Sequence, residues 1–522
     1  MLNKFLLSFI LCVITWFVIL VGINCGFYIN FLSFGGFNWL INLNFDIISI
    51  GVNLMLLICF LYAYYYTGHY FGYSHEGYGL LNIIILFVSV MAVLVCTGDY
   101  LSTLVLWEYL GVVSFFLILF YSNYLSLRSS VITLVSSRFG DVCMFLIIGL
   151  SYYMTSNSVM CMILLFFVVF TKSAGFPFIS WLLEAMRAPT PVSSLVHSST
   201  LVAAGVWFSM RYDYILFFNN YLYFCVLLVL TIIITGVSSF FFLDLKKIIA
   251  LSTCNNISWC LLYLLYGDLL LSLFQLLSHG VSKCLLFMLV GDTMSGSSGS
   301  QASNCIYSPV FYGNWNIFSS WLVIIGLAGV PFIGVFFTKH FLLSQFINIV
   351  NVSVSCIIMF CVFLSYFYSF RLCAILYNFK CSCSFGVLFF FNSGLMVFFW
   401  LFLNFYLFFT LDEAVHSLVF ISGLLIVFQL VSILSALYYY DKDFLSTWSS
   451  SLFGCDNLVE LCYEKFYSLM FTLSMFIFRW DNLVINLFSG IGYGSTVNTI
   501  EWVIINLSII SVFTLFSYLI FF

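Results

Sequence analysis

FLLSFILCVITWFVILV, residues 5–21, carries no charged side chain, and comparable apolar stretches recur along the chain as far as Phe522. A helix needs about 20 mostly apolar residues to cross the hydrocarbon core of a bilayer, and we count about fourteen to sixteen such stretches. Lipid cannot hydrogen-bond a free backbone, so a spanning segment must be a helix or part of a closed barrel. The stretches lack the two-residue alternation of barrel strands. The sequence therefore predicts an all-α integral membrane protein.

Composition indicates the same class of protein. Hydrophobic residues make up 64% of the 522 residues and charged residues only 7%, whereas soluble domains have about 45–50% and 25%. A net charge of −4, from 15 basic and 19 acidic residues, offers no basic surface to nucleic acid. The 18 cysteines are scattered mainly through apolar stretches, and no pair of CxxC motifs offers a metal site. We expect lipids and membrane proteins as partners, and no bound metal.

The first apolar stretch follows Lys4 and could be taken for a secretory signal peptide. Its apolar core is too long and no cleavage site of small residues follows, so we interpret it as the first membrane span. A transit segment rich in Arg and Ser is also absent. A mitochondrial location would therefore require synthesis inside the organelle.

Polar segments interrupt the apolar pattern at residues 67–79, 292–316 and 441–499. The second is rich in Gly and Ser and is typical of a surface loop. In the third, acidic residues recur at helical spacing beside an apolar face, which predicts an amphipathic helix lying laterally along the membrane. The acidic positions are Asp456, Glu460 and Glu464, and the apolar positions are Val459, Cys462, Phe466 and Met470. A terminal span follows at residues 503–522.

A weak internal repeat surrounds two lysines. Lys172 ends the tripeptide Phe-Thr-Lys shortly before Pro177, and Lys339 ends the same tripeptide shortly after Pro331. Many transporters build ion sites from inverted repeats with interrupted helices, because a break frees backbone groups and admits water. The pattern favours two such repeats, and the alternative is chance similarity in a Phe-rich chain.

Ionisable side chains occur inside or beside the apolar stretches, where burying a charge costs roughly 2.5–3.5 kcal/mol. Desolvation favours the neutral form of a lysine, whereas a nearby carboxylate favours the charged form. Moving or neutralising the carboxylate then ejects the lysine's proton, which is a pump stroke if water reaches alternate sides. The residues concerned are Glu108, Arg138, Asp141, Lys172, His197, Lys246, Lys247, His279, Lys283, Lys339, His340 and Arg371.

Three of these residues suit a proton wire. His279 and Lys283 lie four residues apart and so share one face of a helix. His197 lies in a stretch rich in Ser and Thr, and histidine titrates nearest to neutral pH.

Other charged residues also have a structural interpretation. Arg138 and Asp141, three residues apart, can neutralise each other on one helix. Lys246 or Lys247, beside Asp244, can extend its ammonium group to the membrane interface. Glu184 and Arg187 are expected to form a solvated pair in a loop, and we assign no role to His69, His75 and Glu76.

A series of segments resembles, in the same order, the antiporter-like subunits of respiratory complex I and of Mrp-type cation/proton antiporters. Together they span roughly residues 80–375, which makes the resemblance more specific than a single motif. The segments are WEYLG at 107–111, SRFGD at 137–141, KSAGFPF at 172–178 continuing through APTPVS at 188–193 to His197, DLKKIIALST at 244–253, HGVSKCLLF at 279–287 and PFIGVFFTK at 331–339.

The resemblance implies a role for five residues. Glu108 and Lys172 would form the charge pair of the first half-channel, while His197 and Lys283 would link to the exit lysine, Lys339, in the second. The positions expected to support them are Arg138, Asp141, Lys247, His279 and His340.

The chain also departs from the family's pattern. His340 stands where the family usually has Asp, and Ser295 stands near a position where His is common. The Gln-Leu-Gly that usually follows Ser-Thr is replaced by Asn-Ile-Ser, which ends at Ser258. These departures concern the exit path.

Together the patterns predict five regions. They are N-terminal transmembrane helices at 1–79, an antiporter-like core of two inverted repeats with broken helices at 80–378, further transmembrane helices at 379–440, the amphipathic lateral helix at 441–499 and a terminal anchor at 500–522.

The leading hypothesis is a membrane-arm subunit of NADH:ubiquinone oxidoreductase that translocates protons across the inner mitochondrial membrane. The resemblance implies that the complex uses NADH, FMN, iron–sulfur clusters and ubiquinone, and that this chain binds none of them. It also implies partners among the other membrane-arm subunits, especially the neighbouring antiporter-like subunit four. The alternatives are a free-standing Mrp-type cation/proton antiporter subunit and a purely structural membrane scaffold.

Overall fold

The computed structural model describes the chain over residues 25–34, 37–153, 159–212, 221–297, 299–309, 313–330, 334–349, 352–377, 380–382, 391, 393–410, 419–439, 452, 455–488 and 507–515. Helices dominate these ranges and confirm the predicted all-α membrane class. Within them, eleven helices are long and apolar enough to cross a membrane, and three shorter apolar helices accompany them. The predicted first span at residues 5–21 lies outside the described residues.

The first described element is a β-hairpin. Strand β1 (Cys25–Phe34) pairs antiparallel with β2 (Phe37–Phe45), so that Phe34 lies opposite Phe37. Two adjacent glycines separate the strands in the sequence, and a glycine pair between apolar segments favours a tight hairpin turn. The sequence analysis assigned all of residues 1–79 to transmembrane helices. The structure differs from that prediction at residues 25–34 and 37–45.

The first group of helices runs from α1 to α8. They are α1 (Ile47–Tyr70), α2 (His75–Cys96), α3 (Tyr100–Leu119), α4 (Tyr124–Tyr153), α5 (Val159–Ser173), α6 (Ser180–Glu184), α7 (Thr190–Ser198) and α8 (Leu201–Arg211), with a 3-10 turn at Ala185–Arg187. Polar residues define where they begin. Ser74, for example, accepts a hydrogen bond from the Gly77 backbone N–H at the start of α2, which satisfies a donor that the helix itself cannot pair.

The second group runs from α9 to α16. They are α9 (Tyr221–Phe241), α10 (Leu245–Leu265), α11 (Leu269–Gly296), α12 (Gly313–Ala328), α13 (Phe336–Ile349), α14 (Val352–Tyr377), α15 (Gly394–Thr410) and α16 (Val419–Tyr439). A 3-10 turn at Ser303–Cys305 precedes strand β3 (Tyr307–Pro309), which pairs in parallel with β4 (Lys380–Ser382).

Helices α10 and α11 form the centre of the bundle, and nearly all of their residues are buried. Helix α11 packs against α1, α7, α10 and α12. The outer helices α2 and α16 instead expose apolar side chains such as Ile85 and Leu434, as expected of helix faces that meet lipid or another membrane subunit.

Helices are interrupted beside both lysines of the internal repeat. Helix α5 ends at Ser173 and α6 begins at Ser180, while α12 ends at Ala328 and α13 begins at Phe336. Pro331, which the sequence analysis held responsible for the second break, lies outside the described residues. The two breaks place Lys172 and Lys339 next to free helix ends.

Asp292 does not begin a surface loop as the sequence analysis expected. Helix α11 continues through Asp292 to Gly296, and the side chain is only 4% exposed. The carboxylate can be buried because it has a polar partner, His69 of α1, whose Nε2 lies 3.3 Å from Asp292 Oδ1.

Contacts divide the chain into two compact units, Met1–Cys455 and Asp456–Phe522. The main described element of the second is α17 (Cys455–Phe488), a helix of 34 residues. This helix carries the acidic and apolar positions from which an amphipathic helix was predicted. Residues 460–485 are also long and apolar enough to cross a membrane, so the lateral placement stays a prediction. A short helix, α18, covers residues 507–515 of the expected anchor.

Candidate functional site

Lys172 lies in the last turn of α5 and is completely buried. Its Nζ is 4.0 Å from Asp141 Oδ1 of α4 and makes no hydrogen bond in the described part of the chain. Gly140 allows this approach, because a Cβ at that position would lie 2.3 Å from Thr171 Oγ1 of α5. The SRFGD motif thus combines an acidic residue with the small residue that brings it to the lysine.

Arg138 joins Asp141 to a second carboxylate. Its Nη1 is 3.2 Å from Glu108 Oε2 and 3.5 Å from Asp141 Oδ2. Arg138 and Glu108 are each more than 40% exposed, whereas Asp141 is 3% exposed. The charges therefore run inward as Glu108, Arg138, Asp141 and Lys172. The resemblance implied that Glu108 and Lys172 form a charge pair, and the structure places Arg138 and Asp141 between them.

The next helices inward, α7 and α8, form one span broken at Ser199 and Thr200. Every residue from Thr190 to Met210 is buried. His197 lies just before the break, and neither ring nitrogen has a hydrogen-bond partner in the described residues. Buried polar groups of this kind are normally satisfied by ordered water.

The two lysines at the start of α10 have opposite surroundings. Lys246 is 5% exposed and donates a hydrogen bond of 3.2 Å to the Ala188 carbonyl, just before α7. Lys247 is 39% exposed and lies 3.0 Å from Asp244. The sequence analysis chose Lys247 as the supporting residue, yet Lys246 is the one that reaches the interior.

Helix α11 presents three polar residues at intervals of four. They are Gln275, His279 and Lys283, all buried. Lys283 donates to the Ser252 hydroxyl of α10 and lies 3.5 Å from the Ile249 carbonyl. Both nitrogens of His279 lack a hydrogen-bond partner in the described ranges.

Gln275 connects this row to the second helix break. Its Oε1 accepts a hydrogen bond of 2.7 Å from Thr338 of α13, the residue before Lys339. The sequence analysis did not select Gln275, although its spacing of four from His279 was a usable signal.

Lys339 is held by neutral oxygen atoms. Its Nζ donates to the Ala328 carbonyl at the end of α12 at 2.7 Å and to Ser365 Oγ of α14 at 2.8 Å. The C-terminal carbonyls of a helix lack intrahelical partners and favour a cation. His340 is also buried and lies with its ring 5.6 Å from that of Phe336.

Arg371 of α14 has a structural position. It donates to the carbonyls of Ser239 and Phe242, at 3.2 Å and 2.8 Å, and so satisfies the end of α9. Glu184 and Arg187 pair with each other at 3.2 Å beside α6, as expected of a local surface pair.

The buried cations lie on helices that pack in succession. Helix α5 contacts α8, α7 contacts α11, and α11 contacts both α10 and α13. A carboxylate lies within ion-pair distance of Lys172, but in the described residues none lies within that distance of Lys246, Lys283 or Lys339. Neutral oxygen atoms are thus the polar partners of Lys246, Lys283 and Lys339, whereas Lys172 lies beside a carboxylate. The described residues contain no group of His, Cys, Asp and Glu that could hold a metal ion.

Comparison with known proteins is consistent with this architecture. The family described as NADH:quinone oxidoreductase/Mrp antiporter, TM, matches residues 97–367, more than half of the chain. The NADH-ubiquinone oxidoreductase chain 5 of Ascaris suum is 33% identical over 362 residues, which cover 66% of this chain and 63% of that protein. The protein of the same name from Anopheles gambiae is 32% identical over 350 residues, covering 63% and 59%. This chain spans about three-fifths of the length of these relatives.

Two solved structures share the fold. A chain of the Mrp complex from Dietzia sp. DQ12-45-1b superimposes with a TM-score of 0.71 at 19% identity, covering 94% of this chain and 60% of that one. A chain of the membrane-bound sulfane sulfur reductase, an archaeal respiratory membrane complex, gives a TM-score of 0.59 at 18% identity, covering 77% and 85%.

The fold and the row of buried cations define a polytopic α-helical membrane protein with an antiporter-like core. Its helices are interrupted beside two of its four buried lysines, Lys172 and Lys339. The chain belongs to the NADH:quinone oxidoreductase/Mrp antiporter family.

Proposed function

We propose that this chain translocates protons as a membrane-arm subunit of NADH:ubiquinone oxidoreductase. The observation that carries the proposal is the burial of four lysines on successively packed helices, Lys172, Lys246, Lys283 and Lys339. A buried lysine is costly, and its presence marks a pathway for ions or protons. The names of the curated relatives support the assignment to this enzyme complex.

In the proposed mechanism, Arg138 controls the proton on Lys172. Arg138 lies between two carboxylates, Glu108 and Asp141, and can neutralise either one. When it pairs with Glu108, Asp141 holds the Lys172 ammonium group. When it moves toward Asp141, Lys172 loses its counter-ion and releases its proton inward.

The released proton passes along buried polar groups to the second break. His197, Lys246, His279 and Lys283 carry it through ordered water, and Gln275 with Thr338 aligns α11 with α13. Lys339 then takes up the proton and releases it when the oxygen atoms of Ala328 and Ser365 turn away, because the buried ammonium group is then less stable than the neutral amine. His340 acts as a local relay.

The assignment within the complex follows from the chain's second half. Antiporter-like subunit four resembles this pattern but has glutamate in place of Lys339, and it lacks a helix like α17 and the span after it. We therefore assign this chain as the counterpart of subunit five, adjacent to subunit four in the inner mitochondrial membrane. The redox reaction, with NADH, FMN, iron–sulfur clusters and ubiquinone, takes place on other subunits.

The second candidate is a free-standing Mrp-type cation/proton antiporter subunit. It is favoured by the likeness to the Mrp complex, which covers 94% of this chain.

Native gel electrophoresis of solubilised membranes distinguishes the two candidates. Under the leading proposal, the chain migrates with a large assembly that stains for NADH oxidation. Migration in an assembly without that activity, with Na⁺-dependent proton exchange in vesicles, would establish the antiporter instead.

A further inference from the structure

Each of the two lysines at a helix break lies over the face of an aromatic ring. Lys172 Nζ is 5.2 Å from the centre of the Trp107 ring, and Lys339 Nζ is 4.9 Å from that of Tyr366. Both rings are completely buried. No such ring lies over Lys246 or Lys283 in the described residues. Rings also lie 5.8 Å from Lys247 and 5.1 Å from Arg371, away from the breaks. Among the four buried lysines, the feature therefore distinguishes the two at a break.

The polar neighbours of the two lysines have little in common. Lys172 has one carboxylate at 4.0 Å, whereas Lys339 has a backbone carbonyl and a hydroxyl. An aromatic face carries partial negative charge and attracts an ammonium group within about 6 Å, most strongly in tryptophan and where water is excluded. The ring is thus the shared source of stabilisation for the charged form.

Both rings are fixed in place by their other contacts. The Trp107 ring packs against Phe208 of α8 at 5.5 Å. The Tyr366 hydroxyl donates a hydrogen bond of 3.1 Å to the Gly329 carbonyl at the second break, which also accepts one from Gln429. The hydroxyl of Tyr366 therefore binds the backbone at the helix break, while its ring faces Lys339.

We propose that Trp107 and Tyr366 are positioning residues whose ring faces stabilise protonated Lys172 and Lys339, and so set the pH at which each lysine gives up its proton. The proposal rests on the proposed function, in which both lysines carry protons. It predicts a change in the pH profile of pumping that simple packing by these side chains would not produce.

Other ionisable groups lie on the helices packed against α5 and α13, and the test must leave them unchanged. For α5, they are Arg138 and Asp141 of α4 with Tyr124, Arg128 and Cys143 further along that helix, Arg211 of α8, and Lys246, Lys247, Cys254, Cys260 and Tyr263 of α10, and Glu108 of α3 also acts on Lys172. For α13, they are His340 on the helix itself, His279, Lys283, Cys284 and Asp292 of α11, Cys356, Cys361, Tyr368, Arg371 and Cys373 of α14, and Tyr438 and Tyr439 of α16.

The experiment compares variants that keep a ring with variants that lose it. Trp107→Phe and Tyr366→Phe retain a ring, while Trp107→Leu and Tyr366→Leu remain apolar without one. Each is assembled in the full complex and reconstituted in proteoliposomes, and proton pumping driven by NADH is measured against pH with a pH-sensitive dye. Rates are normalised to the amount of assembled complex.

As the pH is raised, the leucine variants should stop pumping at a lower pH than the unaltered complex does. Without the ring, the ammonium form is less stable, so the lysine is no longer loaded at alkaline pH. We expect the alkaline limb to move down by about one pH unit, which corresponds to about 1.4 kcal/mol. Tyr366→Phe should leave the limb in place, and Trp107→Phe should move it by a few tenths of a unit in the same direction.

An unmoved alkaline limb in both leucine variants, or a limb moved to higher pH, overturns the proposal. So does a Tyr366→Phe profile identical to a shifted Tyr366→Leu profile, because the hydroxyl would then be responsible. If the leucine variants do not assemble, the pH profile of Trp107→Phe is the test of the proposal. An alkaline limb that stays in place in this variant rejects the role of Trp107. Lys172→Ala serves as the reference, since full pumping by that variant would refute the proposed function itself.

Discussion

At the scale of single residues, Lys172 should tolerate substitution least, because among the described residues its ammonium group has one carboxylate within 4.0 Å and no hydrogen bond. We expect Lys172→Ala to abolish most proton pumping and NADH oxidation together, since a tightly coupled pump cannot turn over its redox half alone. Lys172→Arg should not restore either activity, because arginine stays protonated up to about pH 12. Both rates are measured in proteoliposomes.

Arg187→Ala is the matched control for Lys172, since the ion pair of Arg187 in the described part of the chain is a local one with Glu184. That variant should retain both activities. Full coupled activity in Lys172→Arg would contradict the role of Lys172 in loading and releasing a proton.

Lys339 should respond in the same way as Lys172, although its partners are neutral. We expect Lys339→Ala to stop pumping while the complex still assembles. His340→Ala should reduce pumping and alter its pH profile, because an imidazole can both accept and donate a proton. An unchanged profile in His340→Ala would indicate that the side chain only packs against its neighbours.

The cost of burying a charge marked the candidate residues in the sequence. The structure confirms the burial of Lys172, Lys283 and Lys339, and their roles in transport stay predictions. The exact choice between adjacent residues was not predictable, since Lys246 and Lys247 differ only in the helix face they occupy. That face depends on where α10 packs, and the pattern of apolar residues is nearly uniform around this helix. Gln275 was overlooked because an amide is not ionisable, and its importance comes from a contact with Thr338 that the sequence does not reveal.

At the scale of helices, the approach of α4 to α5 depends on Gly140. A Cβ there would meet Thr171 Oγ1 at 2.3 Å and the Phe167 carbonyl at 3.7 Å. We expect Gly140→Ala to separate the helices and destabilise the subunit by about 1–3 kcal/mol, as overpacking does. Pumping should fall as well, because Asp141 moves away from Lys172.

Gly149→Ala is the matched control for Gly140, because it lies on the same helix with no atom within 4 Å of the added Cβ. Thermal unfolding of the solubilised complex should be unaffected in this variant. Adding Thr171→Ala to Gly140→Ala should recover part of the loss. Equal stability of Gly140→Ala and Gly149→Ala would show that the helices adjust without cost.

The helix breaks were predictable from sequence, whereas the hairpin at β1 and β2 was not. Proline and the repeated Phe-Thr-Lys tripeptide marked the breaks locally. The strands contain the same Phe, Ile and Leu residues as a membrane span, so composition alone could not separate them. Two adjacent glycines were the available signal, and the surrounding apolar pattern outweighed it.

At the scale of the whole molecule, residues after 440 are expected to hold the subunit against its neighbours. Lipid surfaces favour basic helices, but Asp456, Glu460 and Glu464 make this stripe of α17 acidic, which suits basic residues of other subunits. We expect deletion of residues 441–522 to destabilise the distal membrane arm, as seen by native gel electrophoresis. The buried lysines of the first unit would all remain in the shortened chain.

Charge reversal at Glu460 and Glu464 tests the acidic stripe separately from the deletion, because it leaves the length of α17 unchanged. Reversal should weaken assembly in the same direction as the deletion. A shortened chain that assembles and pumps at the normal ratio would exclude a clamping role for this segment.

The complete burial of α7 and α8 affects how the protein is made. A segment leaving the insertion machinery alone must partition into lipid on its own apolarity, yet this one carries Ser193, Ser194, His197, Ser198, Ser199 and Thr200. Helix α11, which packs against α7, begins only at Leu269. A nascent chain arrested near residue 220 should therefore leave a cysteine at position 199 open to a water-soluble maleimide, and one arrested after residue 300 should protect it. We therefore expect the polar segment of α7 and α8 to remain exposed to water until α11 has been synthesised.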